Sequence, residues 1–269
     1  MAIFEPTKSN QSTFSERFIE KLRGQNLSLE EYSIDDLLQR SVFLPEKMAL
    51  LGLDADKLPV TFDLRNEQLG SLLILNDHLP TIRHLMYSMI RSLQQMNSAF
   101  EFQYIVISDL PEKWMSKIHE YDCNYDFCAG VVGGDEESAE DWIIYLAQKV
   151  EQRHQKNLER ATIILFVDDL AMVERMDTQT RKNFEWLVKY GASVNIWVFA
   201  GLDFLKINQP MLFIETFKSR IFGQMDPVFS PFLSGFVSES QISALQIRNK
   251  FLAKIGVNWI PFWAPILQG

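Results

Sequence analysis

From Pro59 onward, short apolar runs alternate with longer segments in which apolar residues recur at helical spacing. This order is typical of β-strands that alternate with α-helices. The predicted strands are Val60–Leu64, Ser71–Leu75, Phe102–Ser108, Thr162–Val167, Val194–Ala200 and Ser219–Gly223. The predicted helices are Pro80–Gln95, Glu137–Leu158, Thr178–Tyr190 and Ser240–Ile255.

The pattern predicts an α/β fold with a doubly wound, mostly parallel sheet. The run IILFV at 163–167 is apolar on both faces of the pleat, as a central parallel strand covered by helices requires. We divide the chain into a small helical N-terminal extension (1–58), an α/β domain (59–235) and a C-terminal part (236–269). The extension has helical patches at Phe14–Arg23 and Leu29–Leu38, and the C-terminal part is predicted as a helix and an aromatic, proline-containing tail packed on the same domain.

Net charge and the length of the apolar runs exclude some functional classes. The chain has 269 residues and a net charge of −9, so its field repels phosphate backbones and DNA is an unexpected partner. No apolar run is long enough for a transmembrane segment, and the N-terminus lacks the pattern of a signal peptide. We therefore expect a cytoplasmic protein, peripheral to a membrane complex only through a partner.

The end of one predicted strand carries candidate chemistry. TIILFV runs directly into Asp168 and Asp169, which is the form of a Walker B element. There, the first carboxylate would hold Mg²⁺ and the second would polarise the attacking water. Acidic residues also terminate strands where a solvated end is needed, and the residues alone leave both interpretations open.

The order of several motifs adds context. The segments FDLRNEQLGSLLIL, FQYIVISDL, ATIILFVDDLAMV, LVKYGASVNIWVFAG and FKSRIFGQMD follow one another in that sequence. Their order and spacing resemble the FtsK/SpoIIIE motor domain, in particular the tandem ATPase domains of type VII secretion systems. The resemblance covers about Pro59 to Asp226 and implies a P-loop NTPase-like fold of the RecA/FtsK type. Its matched positions are Asp109, Gln152-Arg153-His154, Asp168-Asp169, Gly191-Ala192-Ser193 and Arg220-Ile221.

The same resemblance exposes a degenerate Walker A motif. A phosphate-binding loop needs glycines, a lysine and a hydroxyl, yet the lysine position falls on Ile82 and the hydroxyl position on Arg83. No glycine occurs between 70 and 130, and no lysine between 57 and 113, so no other alignment restores the motif. Asp169 stands at the position of the catalytic glutamate, one methylene short. The strand ending Val198–Gly201 lacks the polar sensor residue.

Two interpretations of the nucleotide site follow. We expect no catalytic residue and no cofactor, with His78, Arg83 and His84 as polar residues at a strand-to-helix corner. If the chain does bind ATP and Mg²⁺, Asp168 is the metal ligand and Asp169 the catalytic residue. The cofactor-binding candidates are then Asn76, His78, Thr81 and Arg83.

The sequence therefore favours a catalytically degenerate, pseudo-ATPase domain that acts as a protein-interaction or assembly module in a secretion or translocation complex. The resemblance implies another ATPase subunit, or the chain itself, as its partner. The alternative is an active or weakly active ATP-binding DNA or protein translocase with an atypical phosphate-binding loop. A third hypothesis is an α/β scaffold unrelated to ATPases.

Aromatic residues near the C-terminus suggest a contact surface. Trp259, Phe262 and Trp263 belong to a tail that either packs on the domain or anchors another subunit. The pattern leaves both possibilities open.

Overall fold

The computed structural model describes residues 28–29, 31–40, 44–121, 125–156, 161–204, 206, 214–247 and 249–266. Within them, one mixed sheet contains the strands β1 (Met48–Leu53), β2 (Pro59–Asp63), β3 (Leu72–Leu75), β4 (Phe102–Ser108), β5 (Cys128–Gly133), β6 (Thr162–Val167), β7 (Ile196–Leu202), β8 (Ser219–Phe222), β9 (Lys250–Ile255) and β10 (Asn258–Trp263). Its strand order is β2-β1-β10-β9-β8-β3-β7-β6-β4-β5. The six strands from β8 to β5 are parallel, and the other four extend the sheet as antiparallel neighbours.

Helices cover both faces of this sheet. They are α1 (Ile34–Arg40), α2 (Leu79–Met96), α3 (Pro111–Tyr121), α4 (Glu137–Lys156), α5 (Leu170–Arg175), α6 (Thr178–Tyr190), α7 (Ser230–Leu233) and α8 (Glu239–Ser243). Two apolar clusters fill the opposite sides, one between the sheet and α4 and α6, the other between the sheet and α2 and α3. A third cluster lies beneath α1. The predicted doubly wound α/β fold is confirmed.

The strands at the centre of the sheet are those whose sequence is apolar on both faces. Every residue of β3, β6 and β7 is buried. Continuous burial is what parallel strands covered by helices on both sides require. The predicted elements Phe102–Ser108, Thr162–Val167 and Thr178–Tyr190 begin and end as expected.

The secondary structure predicted for residues 240–255 was wrong. The predicted helix Ser240–Ile255 is replaced by the short helix α8 and then by β9, which forms a hairpin with β10. The turn between them is closed by Gly256 at φ 61, a left-handed conformation that glycine adopts without strain. β10 lies between β9 and β1 rather than at an edge; it pairs with β9 along its whole length and with β1 only at Trp263, opposite Leu53.

Five further elements among the described residues were not predicted: β1, α3, β5, α5 and α7. β1 falls within the predicted helical extension 1–58 and joins the sheet beside β2, while α3 and β5 lie between two predicted elements. The predicted patch Leu29–Leu38 overlaps α1. The patch Phe14–Arg23 lies outside the described residues.

Candidate functional site

The connection between β3 and α2 stands where a P-loop ATPase holds phosphate, and it is very short. β3 ends at Leu75 and α2 begins at Leu79, so only residues 76–78 separate them. A Walker A loop needs a longer, glycine-containing segment to curl its amides around phosphate oxygens. The connection here has neither the length nor the glycines for that curl.

The backbone N–H groups of this connection are already used within the protein. The amide of Asn76 donates to the Leu202 carbonyl at 3.2 Å, and that of Asp77 donates to the Gln224 carbonyl at 3.1 Å. The amide of His78 donates to the Asn76 side-chain oxygen at 2.8 Å. Pro80 has no N–H to offer. Donors that would face phosphate in an anion-binding loop instead hold this corner to the neighbouring strands.

The carboxylate of Asp168, at the carboxyl end of β6, is buried in a network of donors. Its Oδ2 accepts hydrogen bonds from Arg83 Nε at 2.6 Å, Ser108 Oγ at 2.6 Å and Trp114 Nε1 at 2.8 Å. The donors come from α2, β4 and α3, which meet at this end of the sheet. Three different elements therefore converge on one carboxylate oxygen.

Arg83 connects Asp168 to a second acidic residue. Its Nη2 donates to Asp109 Oδ1, at the end of β4, while its Nε holds Asp168. The Arg83 side chain is only 8% exposed and that of Asp168 is fully buried. The guanidinium thus lies between the two acids that end neighbouring strands, and its charge compensates the buried Asp168 and the partly exposed Asp109.

The second acid of the pair, Asp169, has a structural role at the start of α5. Its Oδ1 caps the helix by accepting from the Ala171 amide at 3.0 Å. Its Oδ2 lies 3.3 Å from Lys206 Nζ, which is also 3.9 Å from Asp109 Oδ2. Both oxygens of Asp169 are therefore engaged with groups of the chain itself.

Burial and the Arg83 charge act on Asp168 in opposite directions. Desolvation raises the pKa of Asp168, while the Arg83 guanidinium and the Ser108 and Trp114 hydrogen bonds lower it, and burial dominates. Asp168 Oδ1 is buried without a hydrogen-bond partner among the described residues. Ionisation of the Asp168 carboxyl is therefore costly, and it depends on the positive charge of the Arg83 guanidinium.

The position of the Walker A lysine is filled by the apolar core. Ile82 is fully buried and packs against Gly201 at the end of β7. A Cβ added at Gly201 would come within 2.7 Å of Ile82 Cγ2 and even closer to the Asp168 carbonyl oxygen. The place where a sensor side chain would project is therefore taken by backbone and by Ile82.

The structure separates the predicted cofactor-binding residues. Asn76, His78 and Thr81 line a cleft of about 490 Å³ beside the first turn of α2, together with residues from β9 and its preceding loop. His78 Nδ1 lies 2.8 Å from Thr81 Oγ1. Arg83 faces the other side of α2, towards Asp168. Three candidates thus share a cleft, and the fourth belongs to the buried ion network.

Two arginines at other motif positions hold backbone segments of the fold together. Arg153, from the predicted basic run, donates to the carbonyls of Val194, Asn195 and Ala161 at 2.8 to 3.2 Å. Arg220 donates to the Ile214 carbonyl at 2.8 Å. Each arginine therefore ties backbone segments together.

The C-terminal aromatic residues pack largely on the sheet. Phe262 is fully buried and stacks on Phe251 at 5.4 Å between ring centroids. Trp259 is half-buried beside Phe222, and Lys250 Nζ lies 5.2 Å from the centroid of the half-buried Trp263 ring. Phe262 is thus a core residue rather than an accessible anchor.

Sequence reasoning missed two members of the buried network. Ser108 precedes Asp109 at the end of a predicted strand. Because parallel strands end at the same edge of a sheet, this position could have indicated that Ser108 lies near the ends of other strands. Trp114 lies on α3, which was not predicted, and nothing in its local pattern indicated a buried partner. Lys206 likewise carried no motif.

Comparisons with solved structures place this architecture among known ATPases. The cytoplasmic domain of EssC has a TM-score of 0.63 and 12% identity, over 90% of this chain and 48% of that one. The type VII secretion ATPase EccC of Thermomonospora curvata has a TM-score of 0.65 and 15% identity, over 83% and 29%. The pCW3 conjugation coupling protein TcpA, solved with ATPγS, has a TM-score of 0.64 and 15% identity, over 90% and 71%.

The resemblance to FtsK/SpoIIIE-type ATPase domains, including those of type VII secretion, is confirmed at the level of the fold. The chain spans about half of the EssC structure and less than a third of the EccC structure. No sequence-family profile matches the chain, and no curated protein is detectably similar to it in sequence. No helix among the described residues is long and apolar enough to cross a bilayer.

Proposed function

We propose that this chain is a catalytically degenerate ATPase-like domain that serves as a protein-interaction or assembly module in a larger complex. Its structural neighbours are ATPase domains of secretion and conjugation systems. The observation that carries the proposal is the Arg83 guanidinium buried between Asp168 and Asp109.

The buried guanidinium is incompatible with Mg²⁺ at Asp168. Magnesium needs nearly ideal octahedral coordination by oxygen ligands. Here the Asp168 Oδ2 already accepts three hydrogen bonds, one of them from a permanent cation at 2.6 Å. A divalent ion beside that cation would meet strong repulsion in a buried site. We propose that Arg83 supplies the compensating positive charge that a metal supplies in an active ATPase.

The surroundings of the Walker positions support the same conclusion. The corner 76–78 uses its amides within the fold, and the apolar Ile82 stands at the lysine position. Catalysis of phosphoryl transfer depends on positioning and on compensating charge around the phosphates. The described part of this chain offers neither at the expected place. We therefore propose that the fold is retained because its surface binds a protein partner.

The partner is proposed to be another ATPase subunit or a second copy of this chain, on the cytoplasmic side of any membrane complex. One EccC structure was solved in complex with a signal sequence peptide, and that binding is a property of EccC. For this chain, sedimentation velocity of the purified protein across a concentration series distinguishes the two partners. Self-association supports a second copy, and a concentration-independent monomer supports a different subunit.

Calorimetric titration with ATP and Mg²⁺ tests the loss of catalysis. We expect no heat of binding to the Walker positions and no phosphate release above that of buffer. Micromolar binding with turnover that Asp168→Asn abolishes would overturn the proposal. Asp141→Asn removes an exposed carboxylate on α4 and serves as the matched control.

One observation favours the alternative, an active or weakly active translocase with an atypical loop. The cleft beside Asn76, His78 and Thr81, about 490 Å³ in volume, falls within the range of small-molecule sites. ATP turnover that His78→Ala lowers and Asp141→Asn leaves unchanged would support this alternative. Absence of turnover in the unmodified chain would eliminate it.

A further inference from the structure

A second, smaller cavity lies on the other side of the first turns of α2, between α2 and α3. Its volume is about 240 Å³, and its charged side chains are all basic: Arg83, Lys113 and Lys117. Pro80 and Tyr87 supply its apolar lining. We refer to this cavity as the α2–α3 groove. Its basic lining contrasts with the net charge of −9 of the whole chain.

Arg83 presents an unused donor to the α2–α3 groove. Its Nε donates to Asp168 and its Nη2 to Asp109, while Nη1 has no hydrogen-bond partner among the described residues. The whole residue is only 7% exposed, yet it lines the groove. Nη1 is therefore the nitrogen left to face a ligand, on a side chain that its two carboxylate partners hold in place.

The remaining lining adds a cation and an apolar ring. Lys113 has no ion pair among the described residues, whereas Lys117 lies 2.8 Å from Glu120. The Tyr87 hydroxyl is directed inward, towards the carbonyls of Lys113 and Trp114 at 3.3 and 3.2 Å. Burial raises the pKa of Tyr87, so the residue stays neutral and offers its ring.

These features select a carboxylate over a phosphate. Arg83 and Lys117 already face acidic residues, which leaves Lys113 as the cation with no carboxylate partner in the described chain. The three lining cations are balanced by the carboxylates of Asp168, Asp109 and Glu120, so a monoanion meets less repulsion there than a phosphate dianion would. The volume is also below the range of about 300–1,000 Å³ that is typical of small-molecule sites. A single acidic side chain with an apolar neighbour fits both limits.

We infer that the α2–α3 groove binds an acidic side chain of a protein partner, presented next to an apolar residue. The carboxylate would accept from Arg83 Nη1 and from Lys113, and the apolar residue would lie against Pro80 and Tyr87. Charge complementarity identifies the occupant as an acidic peptide segment. This inference rests on the proposed interaction role and names the chemistry of the partner.

Fluorescence anisotropy with the full chain tests the inference. The probe is a fluorescein-labelled peptide that carries Glu-Phe-Glu in a glycine–serine background, and its twin carries Gln-Phe-Gln. The test variant is Lys113→Glu/Lys117→Glu. The control is Lys182→Glu/Lys189→Glu, which reverses two exposed lysines on α6 and gives the same net charge. Circular dichroism verifies that each variant is folded.

We expect the Glu peptide to bind about ten-fold more tightly than its Gln twin at low salt. The test variant should lose that preference, and the control variant should keep it. Equal binding of the two peptides, or an equal loss in both variants, would overturn the inference because only the overall field would then matter. Displacement of the peptide by equimolar inorganic phosphate would also overturn it, in favour of a phosphate site.

The result is separable from the ATP titration. Peptide binding by a chain that also hydrolyses ATP would remove the proposed loss of catalysis and leave the groove assignment in place. A chain that neither hydrolyses ATP nor distinguishes the peptides would remove the groove assignment alone.

Discussion

Replacing Arg83 by methionine removes the guanidinium and keeps most of the apolar stem. Asp168 is then a buried carboxylate without its cation, although Ser108 and Trp114 still donate to it. Because the Arg83 and Asp168 side chains are 8% and 0% exposed, solvent does not screen their interaction. Breaking a buried pair by removing one partner costs about 3–5 kcal/mol. We expect a loss of about 3 kcal/mol, since two donors remain.

Urea unfolding at neutral pH measures this loss. The control is Arg65→Met, whose partner Asp63 lies 2.8 Å away in a pair that is 48% and 31% exposed. Exposed pairs contribute only about 0–1 kcal/mol. The double variant Arg83→Met/Asp168→Asn removes both charges, so we expect it to be more stable than the sum of the single losses by about 1–3 kcal/mol. Additive losses would refute the claim that the guanidinium compensates Asp168.

A second experiment tests whether Arg83 takes the place of a metal ion. Arg83→Ser leaves Asp168 and Asp109 without their cation and places a hydroxyl beside them. If Mg²⁺ then binds with a Kd of about 1 mM, about 10 mM Mg²⁺ stabilises the variant by about 1.4 kcal/mol. For a chain of this size that is a rise in Tm of several degrees, measured by calorimetry. An equal response of the variant and the unmodified chain would refute the idea that the guanidinium takes the place of the metal.

Three further predictions concern packing and pH. Gly201→Ala should lower the free energy of unfolding, measured in the same urea assay, by about 2 kcal/mol, because the added Cβ has no space. Gly235→Ala should be nearly neutral, because nothing lies within 4 Å of its added Cβ. Phe262→Ala should lower the free energy of unfolding by about 3–5 kcal/mol, because it removes a core side chain. Val257 is 92% exposed, so Val257→Ala should lower it by less than about 0.5 kcal/mol. Similar losses for both variants would contradict the buried placement of Phe262. Burial raises the pKa of Asp77, so stability is lost as pH rises through that pKa. Asp77→Asn should therefore raise the urea midpoint at pH 7 and leave it unchanged below the ordinary pKa of 3.8.

Some strands of the fold could be predicted from the sequence, and others could not. The bounds of β4 and β6 were predicted correctly, because continuous burial leaves a run of apolar residues that is legible without a structure. β9 and β10 were missed because LAKI and PFW lie in segments without a clear period, and their pairing with each other and of β9 with β8 decides their conformation. Strand pairing of this kind is a tertiary effect that local propensity does not encode.

The sequence by itself determined that a Walker A cradle is absent. Residues 71–112 contain no glycine and no lysine, and chemistry that needs those side chains has no source in that stretch. Alternating apolar and amphipathic segments also determined the α/β class. Only the tertiary structure decided which side chains meet at that place. Arg83 and Asp168 are 85 residues apart, and they meet because α2 packs across the ends of neighbouring parallel strands. Residue types set which groups are available, whereas strand order and helix packing set which of them meet.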